Sequence, residues 1–170
     1  QEGDVIAYPA LARTFRLIAR EGRDAFYAGP IAADIVGHVR AMGSLLTLAD
    51  FSSHTSTWVE PISTGFAGHE VLEIPPSGQG LTALIALNVV SHFGLARHEP
   101  DSPDRMHTEI EAMKLAWELR NRHIADPDFA EVPVAELLSP GMAARLAGMI
   151  DMKQALDIRT AMRQSDTIYL

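Results

Sequence analysis

Proline and glycine divide this chain into helices. Pro9, Pro30, Pro103 and Pro140 each stand at the start of an apolar pattern that repeats every three or four residues. Proline suits a first helical turn, where its missing N–H has no intrahelical partner to lose, and is costly further in. Gly22, Gly43 and Gly94 stand where such patterns stop, a position that favours a residue free to adopt positive φ. The spacing predicts helices near 9–21, 30–42, 80–93, 103–125 and 140–150. Leu11, Phe15 and Ile18 form the stripe of the first, and Ile31, Ile35, Val39 and Met42 that of the second. The longest, capped by Ser102 or Asp101, is expected to turn Met106, Ile110, Met113, Trp117 and Arg120, with Ile124, towards the core. The last turns Met142, Leu146 and Ile150 inward. Thr47 and Asp50 carry the spacing of a capping box for one short turn.

Between these helices the period changes to two. S-T-W-V-E-P-I-S (56–63) and G-H-E-V-L-E-I-P (68–75) read as two short strands, a hairpin in outline, with Pro61 marking the first as an edge. The fold class is therefore α+β and helix-dominated, with residues 1–170 as a single segment carrying a short β element at about 56–75. A chain of 170 residues that is 47% hydrophobic can bury a core of its own. Its net charge of −8, with no basic stripe, argues against a nucleic-acid partner, which would need cations to neutralise phosphates. The absence of cysteine excludes disulfides, thiolate zinc sites and cysteine nucleophiles. No apolar run reaches the roughly 18–20 residues that span a bilayer, so no transmembrane segment is expected here.

Four stretches carry possible chemistry. P-P-S-G-Q-G (75–80) leads into a helix whose free N–H groups could face an anion. It lacks the lysine and spacing of a P-loop, so the turn-forming residues favour a structural turn. His107 and Glu111 are four apart on one helix face and could begin a metal site. With no second ligand pair, an exposed polar face continuing through Lys114, Glu118 and Arg122 is the favoured reading, and neither a metal nor a cofactor is expected. D-P-D-F (126–129) places an Asp before Pro, a common way to end a helix, and is too short for a calcium loop. No G-x-S-x-G elbow is present.

The fourth stretch is S-D-T-I-Y-L at 165–170, where Thr, Ile and Tyr favour extended structure and open a strand that does not finish. With Gln1 as an unnatural start at the other end, this suggests a piece of something longer. On the residues alone Thr167 is an ordinary strand threonine. A threonine hydroxyl becomes a useful nucleophile when it begins a chain, because its own α-amine then serves as general base.

The chain resembles the γ-glutamyltranspeptidase family over nearly all of its length. The residues that carry this are L-A-R-T-F-R-L-I-A-R-E-G-R-D-A-F-Y-A-G-P-I-A (11–32), T-L-A-D-F (47–51), V-E-P (59–61) and G-H-E-V-L-E-I-P-P-S-G-Q-G (68–80). H-T-E-I-E-A-M-K-L-A-W (107–117), A-D-P-D-F (125–129), V-P-V-A-E-L-L-S (132–139) and D-T-I-Y-L (166–170) continue it. Each is weak alone, and their order and spacing make them specific.

The resemblance implies the four-layer αββα sandwich of N-terminal-nucleophile hydrolases, made as one precursor that cuts itself into a large and a small subunit. It implies that Asp166–Thr167 is the bond cut and that Thr167 is the catalytic nucleophile, with 167–170 opening the small subunit. The rest of the chain corresponds to the C-terminal part of the large subunit. The implied activity is transfer or hydrolysis of γ-glutamyl amides of the glutathione type through a threonyl ester. The implied partners are small γ-glutamyl compounds and the small subunit of the same precursor. The substrate-binding residues fall outside the segment, the carboxylate-binding arginine upstream of Gln1 and the oxyanion contacts downstream of Leu170, so the segment alone is expected to be inactive. Ile168 and Tyr169 stand where many members have Thr and His, and Ser165 where glycine is frequent, a pattern of a divergent branch; related branches act on other γ-glutamyl or acyl amides. The competing reading is a non-catalytic helical interaction domain that retains the family scaffold.

Overall fold

The computed structural model describes residues 3–159. Asp166, Thr167 and the expected strand 166–170 lie outside the described residues. The fold is helix-rich, and its contacts gather into two compact units, Gln1–Trp58 and Val59–Leu170.

The first unit contains four helices: α1 (Pro9–Glu21), α2 (Arg23–Tyr27), α3 (Pro30–Ala41) and α4 (Leu48–Ser52). Pro9 and Pro30 occupy first turns, as their spacing requires, and Gly22 follows α1 with φ of 71°. The α1 stripe is largely open: Leu11 and Phe15 are exposed and no residue of α1 is fully buried. In α3 the inward positions are Ala32 and Val36, flanked by half-buried Ile31, Ile35 and Val39, while Met42 is exposed. Rings supply much of the remaining contact. Tyr27 stacks on His54 at 4.8 Å, the Arg23 guanidinium lies 4.6 Å from the Tyr27 ring centre, and Phe26 meets Phe51 at 6.0 Å. The expected capping box forms: Asp50 Oδ2 accepts from Thr47 N and Thr47 Oγ1, each at 2.7 Å, and Asp50 N donates to Thr47 Oγ1.

The second unit opens with an antiparallel hairpin, β1 (Ile62–Phe66) and β2 (His69–Glu73), in which Ile62 faces Glu73 and Phe66 faces His69. The first strand lies later than the 56–63 expected from its alternation. Pro61 has no N–H to give a ladder, so pairing begins only after it. Ala67 and Gly68 close the turn, both with positive φ (49° and 81°), the conformation that matches the twist of a two-residue hairpin. Helices α5 (Gly80–Val90), α6 (Pro103–His123), α7 (Val134–Leu137) and α8 (Pro140–Ala147) follow. Ser102 and Ser139 cap α6 and α8 by accepting from Arg105 N and Met142 N.

The core lies between α5, α6 and α8, from Leu81, Ile85 and Val89 to Ala112, Leu115, Ala116, Leu119 and Leu146, with Ile62 and Phe66 of the hairpin against it. Its composition corrects the expected inward face of α6. Met106, Ile110, Met113 and Trp117 are between 41% and 58% exposed, whereas Thr108, Glu111, Ala112, Leu115, Ala116 and Leu119 are buried. The apolar pattern of α6 occupies two faces. The one carrying alanines lets α5 approach closely, and the bulky stripe is left outside. There Met106, Ile110, Met113 and Trp117, with Ile158, line an open groove of about 570 Å³. Among the described residues no helix is long and apolar enough to cross a membrane.

Candidate active site

Two features of the second unit bear on the chemistry anticipated from the sequence: the P-P-S-G-Q-G loop, and the polar face of α6 along which residues 151–156 run.

The loop is built to hold α5 against the hairpin. A Cβ on Gly80 would lie 2.7 Å from Glu73 Cβ and 2.9 Å from Ile74 O, so only glycine allows this approach. The Glu73 carboxylate comes equally near, 2.8 Å from that same point, so a negative group of the chain itself already stands beside the N-terminus of α5. With its amide oxygen turned to α6, Gln79 accepts from Arg120 Nη2 at 3.0 Å and Nε at 3.3 Å. The same guanidinium lies 4.8 Å from the Trp117 ring centre. These contacts support the structural-turn reading of the loop. One residue further into α5, Thr82 is 3% exposed and its Oγ1 has no hydrogen-bond partner among the described residues.

On α6 the structure corrects the reading of an exposed polar face. His107, Glu111 and Lys114 do share a face, as spacings of four and three dictate, but Glu111 is only 2% exposed. Both its carboxylate oxygens are engaged by Lys114 Nζ, at 2.9 and 3.1 Å, and Oε2 also accepts from the backbone N–H of Leu156 at 3.0 Å. Lys114 Nζ in turn donates to Leu156 O at 2.7 Å. One ion pair therefore takes both backbone groups of a single residue. Two further contacts hold the start of the same segment. His107 Nε2 donates to Asp151 O at 2.9 Å, which requires the proton on that nitrogen, and Thr108 Oγ1 lies 3.6 Å from Met152 Sδ. From Asp151 to Leu156 the chain thus runs beside α6 in the helix's own direction. Glu118 and Arg122, by contrast, form the expected half-exposed pair at 2.8 Å.

His107 and Glu111 are committed to these contacts, and no group of three His, Asp or Glu that could hold a metal occurs among the described residues. After α6 has ended at His123, D-P-D-F forms a turn: Asp126 Oδ1 accepts from Asp128 N at 3.0 Å, and Phe129 N and Ala130 N donate to Asp126 O. Burial holds the His123 imidazole below its ordinary pKa, against the opposing pull of Glu136.

The ion pair was not visible as a site in the sequence. Glu111 and Lys114 show helical spacing, but their common target lies more than forty residues further on. The signal that could have exposed it is the run Thr108, Ala112, Leu115, Ala116 and Leu119, whose small and branched residues mark the closest-packed face and carry Glu111 along its border.

Comparison with known proteins covers the whole sequence. A family model described as gamma-glutamyltranspeptidase matches residues 1–170. The glutathione hydrolase-like YwrD proenzyme of Bacillus subtilis (strain 168) is 35% identical over 167 residues, 98% of this chain and 32% of that protein. Two solved structures share the fold. The γ-glutamyltranspeptidase of Helicobacter pylori matches with a TM-score of 0.72 at 24% identity, over 99% of this chain and 49% of that one. The cephalosporin acylase of Bacillus halodurans matches with a TM-score of 0.67 at 38% identity, over 89% and 28%. The chain spans about a third or less of the length of the curated relatives it matches.

Proposed function

Because the chain belongs to the gamma-glutamyltranspeptidase family, we propose that it is part of an acyl-transfer enzyme that cuts amides of the γ-glutamyl class with Thr167 as nucleophile. The observation that carries this reading is the extent of the family match, which continues to Leu170 and so includes the Asp166–Thr167 pair. The names of relatives support it, since a glutathione hydrolase-like proenzyme and a cephalosporin acylase both name amide-cleaving activities. The complete protein would have the four-layer αββα sandwich of N-terminal-nucleophile hydrolases, and the small subunit of the same precursor would be its first partner.

The chemistry follows in two stages. In the first, the Thr167 hydroxyl attacks the carbonyl carbon of Asp166. The C–N bond breaks, the hydroxyl proton passes to the departing nitrogen, and an ester joins Asp166 to Thr167 Oγ1. Water hydrolyses that ester to an Asp166 carboxylate and a Thr167 with free hydroxyl and free amine. In the second stage this amine accepts the hydroxyl proton as the oxygen attacks the amide carbonyl of the substrate. The amine product leaves with a proton, and water or an acceptor amine releases the acyl group from the threonyl ester. Each stage forms a tetrahedral oxyanion, and each donor aimed at it is worth about 2.7–4 kcal/mol.

Intact-mass measurement on the full-length precursor tests this reading. Wild type is expected to give two subunits cut between Asp166 and Thr167, and Thr167→Ala to give one uncut chain that does not turn over a chromogenic γ-glutamyl anilide. Two subunits cut at this same bond in the Ala variant would overturn it. The 170-residue segment alone is expected to show no anilide turnover.

A further inference from the structure

We infer that Glu111 and Lys114 are positioning residues for the self-cleavage of the precursor: together they fix Leu156, the anchor from which the chain runs on to Asp166–Thr167. The inference rests on the reading of Asp166–Thr167 as the bond that is cut. Its basis is the contact geometry on α6. Glu111 Oε2 accepts from Leu156 N at 3.0 Å while Lys114 Nζ donates to Leu156 O at 2.7 Å. A single bond would tether a segment yet leave it free to swivel. Gripping the N–H and the C=O of one residue sets its place and the direction in which the chain leaves it.

The chemical choice is informative. A carboxylate that is 2% exposed pays a desolvation cost of several kcal/mol, and an apolar side chain of similar volume often serves stability as well or better. What the apolar side chain could not do is hold a defined backbone N–H and, through its lysine, a defined C=O. The pair is thus suited to placing a chain more than to strengthening a core. His107 bonded to Asp151 O holds the start of the same segment, so the chain is fixed at both ends of its run along α6. Asp166 lies ten positions after Leu156, so the anchor keeps it within about 33–36 Å of that residue. The attack of Thr167 requires its oxygen about 3–3.5 Å from the Asp166 carbonyl carbon, and a misplacement of about 1 Å can cost about a hundredfold in rate. The two reacting atoms belong to adjacent residues, so what the anchor contributes is delivery: it limits how far the Asp166–Thr167 bond can stray from the donors that must stabilise its oxyanion.

The test uses the full-length precursor made by cell-free synthesis, with intact mass followed from the start. Four chains are compared: wild type, Glu111→Gln, Lys114→Met and Lys114→Arg. Circular dichroism and gel filtration select the folded fraction of each. Glu111→Gln and Lys114→Met are expected to lengthen the processing half-life at least about tenfold in folded chains. Lys114→Arg, which keeps a cation and donors for both Glu111 and Leu156 O, is expected to recover most of the wild-type rate. Turnover per cleaved chain should fall much less than processing does, a split that simple loss of stability would not produce. Should either single variant fail to fold, the double variant Glu111→Gln/Lys114→Met, which leaves no buried charge unpaired, takes its place and is expected to be slowed to the same degree. Processing at the wild-type rate in folded Lys114→Met, with wild type cut at Asp166–Thr167, overturns this inference and leaves the proposed function standing. Wild type that never cuts at that bond overturns both.

Discussion

The two units of this molecule are both helical, but they are held together differently. In the first, the fully buried side chains among the described residues are Ala25, Ala32 and Val36, none of them large. Stacked rings and one capping box make up much of the rest. In the second, Leu81, Leu84, Ile85, Leu115, Leu119 and Leu146 are essentially sealed from water. The first unit is not short of apolar residues, for α1 has a well-formed stripe with Leu11 and Phe15 on it. The difference lies in facing elements. An amphipathic helix gains from the hydrophobic effect only when another surface covers its stripe. Inside the second unit the same contrast recurs on α6, where the alanine face is sealed and the methionine–tryptophan face is not.

Leu115→Ala should produce the largest effect. A fully buried leucine lost from between helices costs about 2–5 kcal/mol, through lost transfer energy and the cavity left behind. Urea denaturation followed by circular dichroism would measure it, and a loss below about 1 kcal/mol would remove the distinction between the units. Trp117→Ala should cost less, about 1–2 kcal/mol, because the ring is 43% exposed and loses mainly its contact with Arg120 and part of its area. A cost equal to that of Leu115→Ala would restore Trp117 to the core and refute the two-faced description of α6. Phe15→Ala in α1 should fall within about 0.5 kcal/mol of wild type, since the ring is 60% exposed and alanine is the better helix former.

The smallest effect concerns acid. The Thr47 hydroxyl and then its backbone N–H hold the Asp50 carboxyl below its ordinary pKa. A depressed folded pKa means that the unfolded chain takes up the proton first. The contribution is therefore complete above the unfolded value of about 3.9 and is lost as the pH falls through the folded value. The stability gap between wild type and Thr47→Ala should narrow between about pH 6 and about pH 3. A gap that widens on acidification would show that the carboxylate does not cap α4.

Much of this fold is legible in the sequence wherever a start or stop signal is tied to a long period. The expected 9–21 is the observed span of α1, and the helices opened by Pro30, Pro103 and Pro140 all start where those prolines stand. Helices α2 and α7 are too short for any period to be counted, so no pattern marks them in the sequence. The hairpin was visible, but its register depended on Pro61 and on two positive φ values that alternation does not encode. The inward face of α6 departs from its bulky stripe because close helix packing selects the small Ala112 and Ala116, while size alone points to Met113 and Trp117. Of the candidate site, the residue types were legible and their engagement was not. Nothing local announces that Glu111 and Lys114 meet at Leu156, because that contact is long-range. Asp166 and Thr167 stand outside the described residues, and the roles proposed for them rest on the family match.

The chain has two tryptophans, and the structure gives them unequal optical roles. Trp58 closes the first unit fully open to solvent, so its emission should already sit at the long wavelength of indole in water and shift little on unfolding. Trp117 lies partly covered on α6 with a guanidinium over its ring, so both its emission maximum and its intensity should change as the second unit opens. Intrinsic fluorescence is then a reporter for one unit and nearly blind to the other. A fluorescence transition that falls apart from the dichroism transition would reveal that the two units do not melt together.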